Sequence, residues 1–597
     1  MPISAQATAD RPAPGAVGGA PVGGRGPVPG GRAWGAWSGR LGWAVAVAVP
    51  VAFLTVFFVW PVLEIVGRGF VVDGRLDLSG FGEVFARPRT WRVVGQTLAQ
   101  AAVGTVGALV LGLPGAYLLH RCRFRGRGAL RAFVTVPFVL PTVVVGVAFR
   151  SLLVDGGPLG FLQLDGTFAA IVAALVFFNY AVVVRAVGGL WERLDPRAEQ
   201  AARALGASPW RAFRTVTLPA LTPAIASAAS LAFLFCATAF GTVLVLGGLR
   251  FGTIETEIWV QTTQFLDLRA AAVLSVVQLV VVAVALTLAG RARSRRERAL
   301  ALTSQVDAVR PLRLRRPAGM PPGDGHALTV VATAITAVVV LLLALPLVNL
   351  VIRSLRTGTG WGLDHYAALG TTGGSLNVTV WQATLNSLRV ALDATVIALV
   401  VGGLVALVVS RRPRRAVGRR AVAGLDALFM LPLGVSAVTV GFGFLLSMHH
   451  PFGLPVDLRT SPLLVPVAQA VVAVPLVVRT VLPVLRAIDP RLREAAATLG
   501  AAPGRVLRTV DLSIAARSVG LAVGFAFAAS LGEFGATSFL ARPDRPTLPV
   551  VIFRLIGRPG PESYGMALAA SVVLAVFTAG IVAACERLRA PGAGGEC

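Results

Sequence analysis

Runs of about twenty apolar residues recur along the chain and constrain its fold more than any other feature. Residues 43–67, 327–352 and 391–410 are examples, each long enough to cross a bilayer as an α-helix, which takes roughly 20 residues. Of the 597 residues, 55% are hydrophobic and 14% are charged, whereas globular proteins carry about 25% charged residues. The composition excludes an ordinary soluble protein and predicts an all-α polytopic membrane protein.

Twelve transmembrane helices are predicted, six on each side of a basic linker. The predicted spans are 43–67, 93–119, 131–152, 167–190, 220–247 and 270–290, then 327–352, 385–410, 421–447, 462–485, 514–540 and 566–586. Because an even number of spans returns the chain to its starting side, the halves are expected to be parallel repeats. The predicted domains are a disordered tail at 1–40, which is rich in Pro, Gly and Ala, a first repeat at 41–290, a linker at 291–326 and a second repeat at 327–590.

The positive charge of the chain follows this topology. The net charge is +27, and arginines cluster between the apolar runs, at 121–131, 291–316 and 411–420, as the positive-inside rule expects of cytoplasmic loops. The prediction is a multi-pass protein of the bacterial cytoplasmic membrane with both termini in the cytoplasm, in contact with lipid and not with nucleic acid. The predicted outer loops at 68–92 and 541–565 also carry arginines, including Arg87, Arg89, Arg542 and Arg545, and these run against the rule.

One polar segment occurs twice, 294 positions apart. Residues 195–219 and 489–513 are identical at 14 of 25 positions without a gap, although the halves are otherwise only loosely alike. The spacing continues into the apolar runs, where Phe240-Gly241 aligns with Phe534-Gly535. A polar loop kept this similar predicts a docking surface, and two copies predict a partner with two equivalent sites.

Each copy of this loop is predicted to form two short helices joined at a glycine. Aspartate is a favoured N-cap and proline suits the first helical position, so Asp195-Pro196 and Asp489-Pro490 are expected to begin the first helix. Gly206 and Gly500 are expected to end it, because glycine adopts the left-handed conformation without strain. A proline three residues later begins the second helix, which presents an apolar face among arginines, as protein-binding surfaces do.

The loop resembles the cytoplasmic signature of the permease subunits of bacterial ABC importers, Glu-Ala-Ala-x-x-x-Gly followed after nine residues by Ile-x-Leu-Pro. The second copy has Ser513 in place of the proline, and the first has Gln200 in place of the glutamate, with Glu199 one residue earlier. The resemblance implies the fold of type I ABC-importer permeases, with the short helix inserted into a groove of a cytoplasmic ATPase dimer. The signature and the apolar face together assign this coupling role to Glu199, Gln200, Ala201, Ala202, Gly206, Trp210, Phe213 and Leu218, and to Glu494, Ala495, Ala496, Gly500, Val506, Leu507 and Leu512.

ATP hydrolysis is expected on partner subunits. The chain contains no lysine, so it cannot hold the phosphate-binding loop Gly-x-x-x-x-Gly-Lys-Ser/Thr. No catalytic residue or cofactor is predicted in this chain, and ATP and Mg²⁺ are expected on the ATPase. The resemblance further implies that an extracytoplasmic binding protein delivers the substrate and that ATP drives alternating access.

Fusion of both halves into one chain resembles the thiamine and ferric-iron permeases. Segments 236–244 and 254–259 look more like the thiamine branch, and 530–535 occurs in similar form in both. The predicted substrate is thiamine or ferric iron, with thiamine slightly favoured. The alternative from another class is a twelve-helix secondary transporter, which also has internal repeats but leaves the duplicated loops unexplained.

Ionisable residues at membrane depth are costly and mark a transport pathway by default. Glu533, Asp393 and Asp426 are therefore candidates for the pathway. The alternative role is hydrogen bonding between helices for Asp393 and Asp426, and an ion pair or hydrogen bond inside the bundle for Glu533. His449-His450 falls short of a metal-ligand set, and the four cysteines are too scattered for a metal site or a disulfide framework. No metal site is predicted.

Overall fold

The computed structural model describes residues 31–72, 74–248, 250–294, 310–311, 326–358, 360–372, 376–411 and 416–587. Residues 1–30 of the predicted tail lie outside the described residues. Residues 31–40, which the prediction also assigned to the tail, belong to a helix. Most of the predicted linker at 291–326 also lies outside them. The chain divides into a short unit, Met1–Val45, and a large unit, Ala46–Cys597, and the features below belong to the large unit.

The first half consists mainly of helices. In chain order they are α1 (Gly31–Leu54), α2 (Trp60–Phe70), α3 (Ser79–Ala86), α4 (Pro88–Arg121), α5 (Arg127–Val139), α6 (Thr142–Leu153), α7 (Phe168–Trp191), α8 (Arg197–Ala204), α9 (Pro209–Ala212), α10 (Leu218–Ala237), α11 (Gly241–Gly247), α12 (Ile254–Thr263) and α13 (Leu268–Ser294). A π-helical turn at Phe213–Thr217 joins α9 to α10, so these two form one long helix.

The second half repeats this order. Its helices are α14 (His326–Ser354), α15 (Asp364–Ala368), α16 (Val380–Val409), α17 (Ala416–Met430), α18 (Ala437–Ser447), α19 (Leu464–Ala487), α20 (Pro490–Thr498), α21 (Pro503–Val506), α22 (Ser513–Leu531), α23 (Thr537–Leu540), α24 (Leu548–Ile556) and α25 (Pro561–Arg587). The strands of the described residues are two-residue pairs: β1 (Val71–Val72) with β2 (Arg75–Leu76), β3 (Cys122–Arg123) with β4 (Arg310–Pro311), and β5 (Arg356–Thr357) with β6 (Gly360–Trp361).

Ten of the described helices are long and apolar enough to cross a bilayer, or eleven if one bent pair counts as a span. The all-α polytopic fold is confirmed, but the count of twelve is not, because two predicted spans are broken. The span at 131–152 is split into α5 and α6, which meet at 101°, at Pro141, which has no amide hydrogen to continue the helix. The span at 421–447 is split into α17 and α18 around Pro432.

The first spanning helix of each half packs against the opposite half. α2 lies against α18, where a side chain at Gly443 would meet Pro61 and Ile65 of α2. α14 lies against α4 and α6, and the Asn349 side chain donates a hydrogen bond of 2.9 Å to the Ser151 hydroxyl. The first spanning helix of each half therefore packs into buried clusters that contain residues of both halves.

Candidate functional site

The first arm of each repeated loop begins at an aspartate, as predicted. The Asp195 carboxylate accepts a hydrogen bond of 2.9 Å from the Arg197 amide, and the Asp489 carboxylate accepts one of 2.9 Å from the Arg491 amide. These bonds satisfy amides that have no partner inside the helix. They fix where α8 and α20 leave the membrane helices α7 and α19.

A glycine with positive φ ends each first arm. The φ angle is +87° at Gly206 and +83° at Gly500. The amide of the residue after each glycine donates back to the carbonyl of Ala202 at 3.1 Å or of Ala496 at 3.0 Å. This C-terminal geometry favours glycine because other residues are strained at positive φ, so the predicted helix–glycine–helix shape of both loops is present.

Each bend exposes a leucine. Leu205 is 89% exposed and Leu499, 294 positions later, is 88% exposed. Single exposed leucines are common on proteins, but two at equivalent positions, one of them near the exposed Trp210, indicate a contact surface. Neither leucine was predicted as a site residue, although their repetition within the duplicated segment was a usable signal.

Stacked aromatic rings connect the first loop to the membrane helices. Phe213 is half-buried between Trp210 and Trp191, with ring centroids 5.6 and 6.0 Å away. Trp191 in turn lies 5.5 Å from Tyr117 of α4. This row of four rings runs from the exposed Trp210 to α4 and α7, so the loop is in contact with both helices.

At the positions of Trp191, Trp210 and Phe213 the second loop has Leu485, Gly504 and Leu507, so its sequence does not repeat this row of rings. Of the remaining predicted coupling residues, Ala201, Ala495 and Leu512 are exposed, and Ala202, Ala496, Leu218, Val506 and Leu507 are half-buried.

The glutamate position of the signature faces solvent in both loops. Gln200 and Glu494 occupy equivalent positions and both are exposed. Glu199 turns inward instead, where it accepts a hydrogen bond of 3.3 Å from the Thr217 hydroxyl. Glu199 therefore does not replace Glu494 as an exposed carboxylate.

A buried carboxylate braces the two arms of the second loop. Asp511 is fully buried, with Oδ1 2.6 Å from Nε of Arg493 on α20 and Oδ2 2.7 Å from Nη2 of Arg411, which follows α16. An unpaired buried carboxylate is strongly unfavourable, so these contacts hold both arginines in place. In the first loop, Thr217 stands at the position of Asp511 and Glu199 at the position of Arg493. The carboxylate of the first loop therefore lies on the first arm, whereas that of the second loop lies on the second arm.

A second charged cluster precedes the first loop. Glu192, one residue beyond α7, lies 3.0 Å from His120, 3.1 Å from Arg127 and 3.3 Å from Arg131. Burial alone would raise the pKa of Glu192, but the hydrogen bond with His120 and the charge of Arg131 lower this pKa to about 2. The cluster ties the end of α7 to α4 and α5.

The equivalent residue near the end of α19 is Arg486, so the sign of the charge is reversed. Arg486 pairs with Asp426 of α17 at 3.0 Å. Both line an open cavity of about 500 Å³ that also contains Arg479. Asp426, predicted as a candidate for the pathway, thus ties α17 to α19.

The other two pathway candidates differ in burial. Glu533 is buried at the break between α22 and α23, and its carboxylate accepts hydrogen bonds from the amides of Ala536 at 2.7 Å and Thr537 at 3.0 Å. These contacts agree with the hydrogen-bonding alternative. Asp393 is exposed on α16, four residues after the exposed Arg389. The pathway roles of Glu533, Asp393 and Asp426 stay predictions.

The histidine pair lies in an ion-paired loop. His449 Nδ1 is 3.1 Å from the Asp457 carboxylate, and the hydrogen bond from Arg459 holds the pKa of Asp457 well below its usual range. In the part of the chain that the structure describes, no group of three His, Cys, Asp or Glu side chains is placed to hold a metal ion.

One buried carboxylate between the halves was not predicted as a site residue. Glu255 on α12 is fully buried and accepts hydrogen bonds from the Ser436 hydroxyl of the other half and, at 2.8 Å, from Gln278. Ser436 also caps α18 by accepting from the Val438 amide at 3.0 Å. Glu255 therefore ties the first half to the broken span of the second. Its sequence context gives little signal, because it lies in a mixed polar segment between two predicted spans.

Four of the arginines that run against the positive-inside rule are paired with acids. The N–O distances are 3.4 Å for Arg87–Asp267, 2.9 Å for Arg89–Glu257, 3.0 Å for Arg542–Asp544 and 3.9 Å for Arg545–Asp544. These loops therefore carry less net positive charge than their arginines suggest.

Comparison with known proteins places these features in a family. The family described as binding-protein-dependent transport system inner membrane component matches residues 104–298. The thiamine transport system permease protein of Escherichia coli (strain K12) is 28% identical over 479 residues, which is 78% of this chain and 84% of that protein. The sulfate transport system permease protein of the same organism is 30% identical over 245 residues, which is 40% of this chain and 87% of that protein.

Among solved structures, a chain of a bacterial ABC transporter involved in the import of alginate covers 45% of this chain and 100% of its own length, with 17% identity and a TM-score of 0.39. The sequence matches decide against the secondary-transporter alternative, since the relatives are permeases of binding-protein-dependent systems, which are transport subunits and not enzymes. The chain belongs to the family of binding-protein-dependent transport system inner membrane components, as a fused two-domain permease of an ABC importer that resembles the thiamine permeases.

Proposed function

We propose that the two repeated loops each dock one subunit of a cytoplasmic ATPase dimer and pass its closure to the membrane helices. The supporting observation is one geometry built twice: a short helix, a glycine bend with nearly the same φ, and a leucine about nine-tenths exposed at the bend. A partner with two equal subunits fits two copies of one surface. In this arrangement both loops and both termini lie in the cytoplasm.

ATP and Mg²⁺ bind to that partner, and this chain hydrolyses no ATP. The chain has no lysine, and the phosphate-binding loop of such ATPases needs one. The work of this chain is mechanical. It converts a movement of α8–α9 and α20–α21 into alternating access between the two halves.

The substrate we propose is thiamine, delivered by an extracytoplasmic binding protein, with ferric iron as the alternative. The thiamine permease aligns with 78% of this chain, across both halves, whereas the sulfate permease aligns with 40%. The fused arrangement and the longer alignment favour thiamine.

The exposed leucines give a direct test of docking. Leu205→Glu and Leu499→Glu place a charge where the side chain is almost fully exposed, so the fold is expected to stay intact. Leu76→Glu is the matched control, since Leu76 is 77% exposed on β2 and lies outside the loops. We expect the double loop variant to lose most of the ATPase that co-purifies in detergent, and each single variant to lose part of it.

The control is expected to retain the ATPase at the wild-type level. If the double variant also retains it at that level, with an unchanged elution volume on size exclusion, the loops are not the docking surface.

A further inference from the structure

Four aromatic rings meet where the two halves face each other. Phe240 and Phe534 stack with centroids 5.3 Å apart and an interplanar angle of 20°. Trp259 lies 6.4 Å from Phe240, Phe553 lies 5.3 Å from Phe534, and Trp259 meets Phe553 edge to face at 5.9 Å. Both pairs, Phe240 with Phe534 and Trp259 with Phe553, are separated by 294 positions. This aromatic quartet therefore follows the internal symmetry of the chain.

The quartet lies where long helices are interrupted. Phe240 and Phe534 stand in the non-helical breaks that follow α10 and α22. These breaks are at the opposite ends of α10 and α22 from the repeated loops. In secondary transporters built from repeats, interrupted helices at the repeat interface line the substrate site. The quartet of this chain lies at comparable breaks, between the two halves.

The chemistry of the quartet suits a particular class of ligand. Aromatic faces attract cations through the ring quadrupole, and several rings together form a cage for quaternary ammonium groups. Trp259 Nε1 is buried and has no hydrogen-bond partner in the described part of the chain. Glu255 lies one turn before Trp259 on the same face of α12, and it carries the acidic group that bonds to Ser436 across the interface.

We propose that the aromatic quartet is the gate between the halves and that it recognises an organic cation, such as a thiazolium or a quaternary ammonium ion, through its ring faces. In this structure the rings close on each other, since Phe240 is 5% and Phe534 is 2% exposed. A ferric ion would need several oxygen or nitrogen ligands, and the rings supply none. This assignment rests on the proposed import function and narrows its substrate class.

The test uses the permease assembled with its ATPase and binding protein in proteoliposomes, with thiamine as the transported probe. Trp259→Leu and Phe553→Leu keep an apolar side chain but remove a ring face. Phe178→Leu is the matched control, because Phe178 belongs to a separate aromatic cluster with Phe138 and Phe235 inside the first half. We expect each quartet variant to slow thiamine uptake roughly tenfold, with ATPase association unchanged, and the control to match wild type within about twofold.

A second measurement separates ring electronics from packing. Graded fluorination of the indole at position 259 withdraws charge from the ring face at nearly constant shape, so thiamine uptake is expected to fall with each added fluorine. Uptake independent of fluorination, or equal slowing in the quartet variants and in Phe178→Leu, would show that the quartet is only packed core. A wild-type complex that binds its ATPase but takes up no thiamine would overturn the substrate class and leave loop docking intact.

Discussion

Asp511 Oδ1 lies 2.6 Å from Nε of Arg493, and the equivalent residues of the first loop, Thr217 and Glu199, meet at 3.3 Å with the carboxylate on the opposite arm. The glycine bends and their exposed leucines are thus alike in both halves, while the inward contacts differ in charge. Arg486 with Asp426 and Glu192 with its arginines show the same reversal.

Asp511→Asn is expected to weaken the second loop. The change leaves Arg411 and Arg493 without their shared counter-ion, and breaking a buried pair costs about 3–5 kcal/mol. Because both arginines are partly exposed, at 30% and 17%, we expect the lower end of that range. The thermal unfolding temperature of the purified protein and its association with the ATPase should both fall. Thr217→Val, which removes a single neutral hydrogen bond from the first loop, is the control and should have a much smaller effect.

The double variant Arg493→Glu with Asp511→Thr gives the second loop the same pair of residue types that the first loop has at Glu199 and Thr217. It should recover part of the stability lost in Asp511→Asn, because it removes one of the two arginines that Asp511→Asn leaves without their counter-ion. An Asp511→Asn variant as stable as wild type would mean that the brace does not hold the loop.

Glu192 is expected to make stability depend on pH. Its folded-state pKa of about 2 lies below the ordinary value of 4.5, so the ionised form favours folding. This contribution is complete above about pH 4.5 and is lost as the pH falls from 4.5 toward 2. In that window the unfolding temperature of wild type should fall more steeply than that of Glu192→Gln. Parallel curves for the two proteins would contradict the assignment.

Glu533→Gln is expected to weaken the cap of α23. Glutamine keeps the size of the side chain but offers one acceptor oxygen, whereas the carboxylate receives bonds on both oxygens. Thermal stability should decrease while substrate uptake per folded molecule stays normal. The opposite result, slower uptake at unchanged stability, would place Glu533 in the transport pathway.

The repeated loops were predictable because their determinants are local. The capping aspartates and the glycines at positive φ act within a few residues, so Gly206 and Gly500 alone indicate where each bend lies. The apolar runs likewise predict a polytopic helical protein. They do not reveal that the run at 131–152 is broken, because length and hydropathy look the same on both sides of Pro141.

The contacts that organise the site join residues far apart in sequence. Asp511 meets Arg411 across 100 positions, and Glu255 meets Ser436 across 181. Neither contact follows a periodic pattern, and only the packing of the helices brings the partners together. The exchange of α2 and α14 between the halves was hidden for the same reason.

The number of ATPase subunits bound per permease chain tests the central claim most directly. Native mass spectrometry of the detergent-purified complex counts them for wild type, Gly206→Pro, Gly500→Pro and the double variant. Proline cannot adopt the positive φ of either bend, so each change should destroy one docking surface while membrane insertion stays normal. We expect two ATPase subunits on wild type, fewer on each single variant and none on the double variant. Two subunits still bound to the double variant would contradict the account.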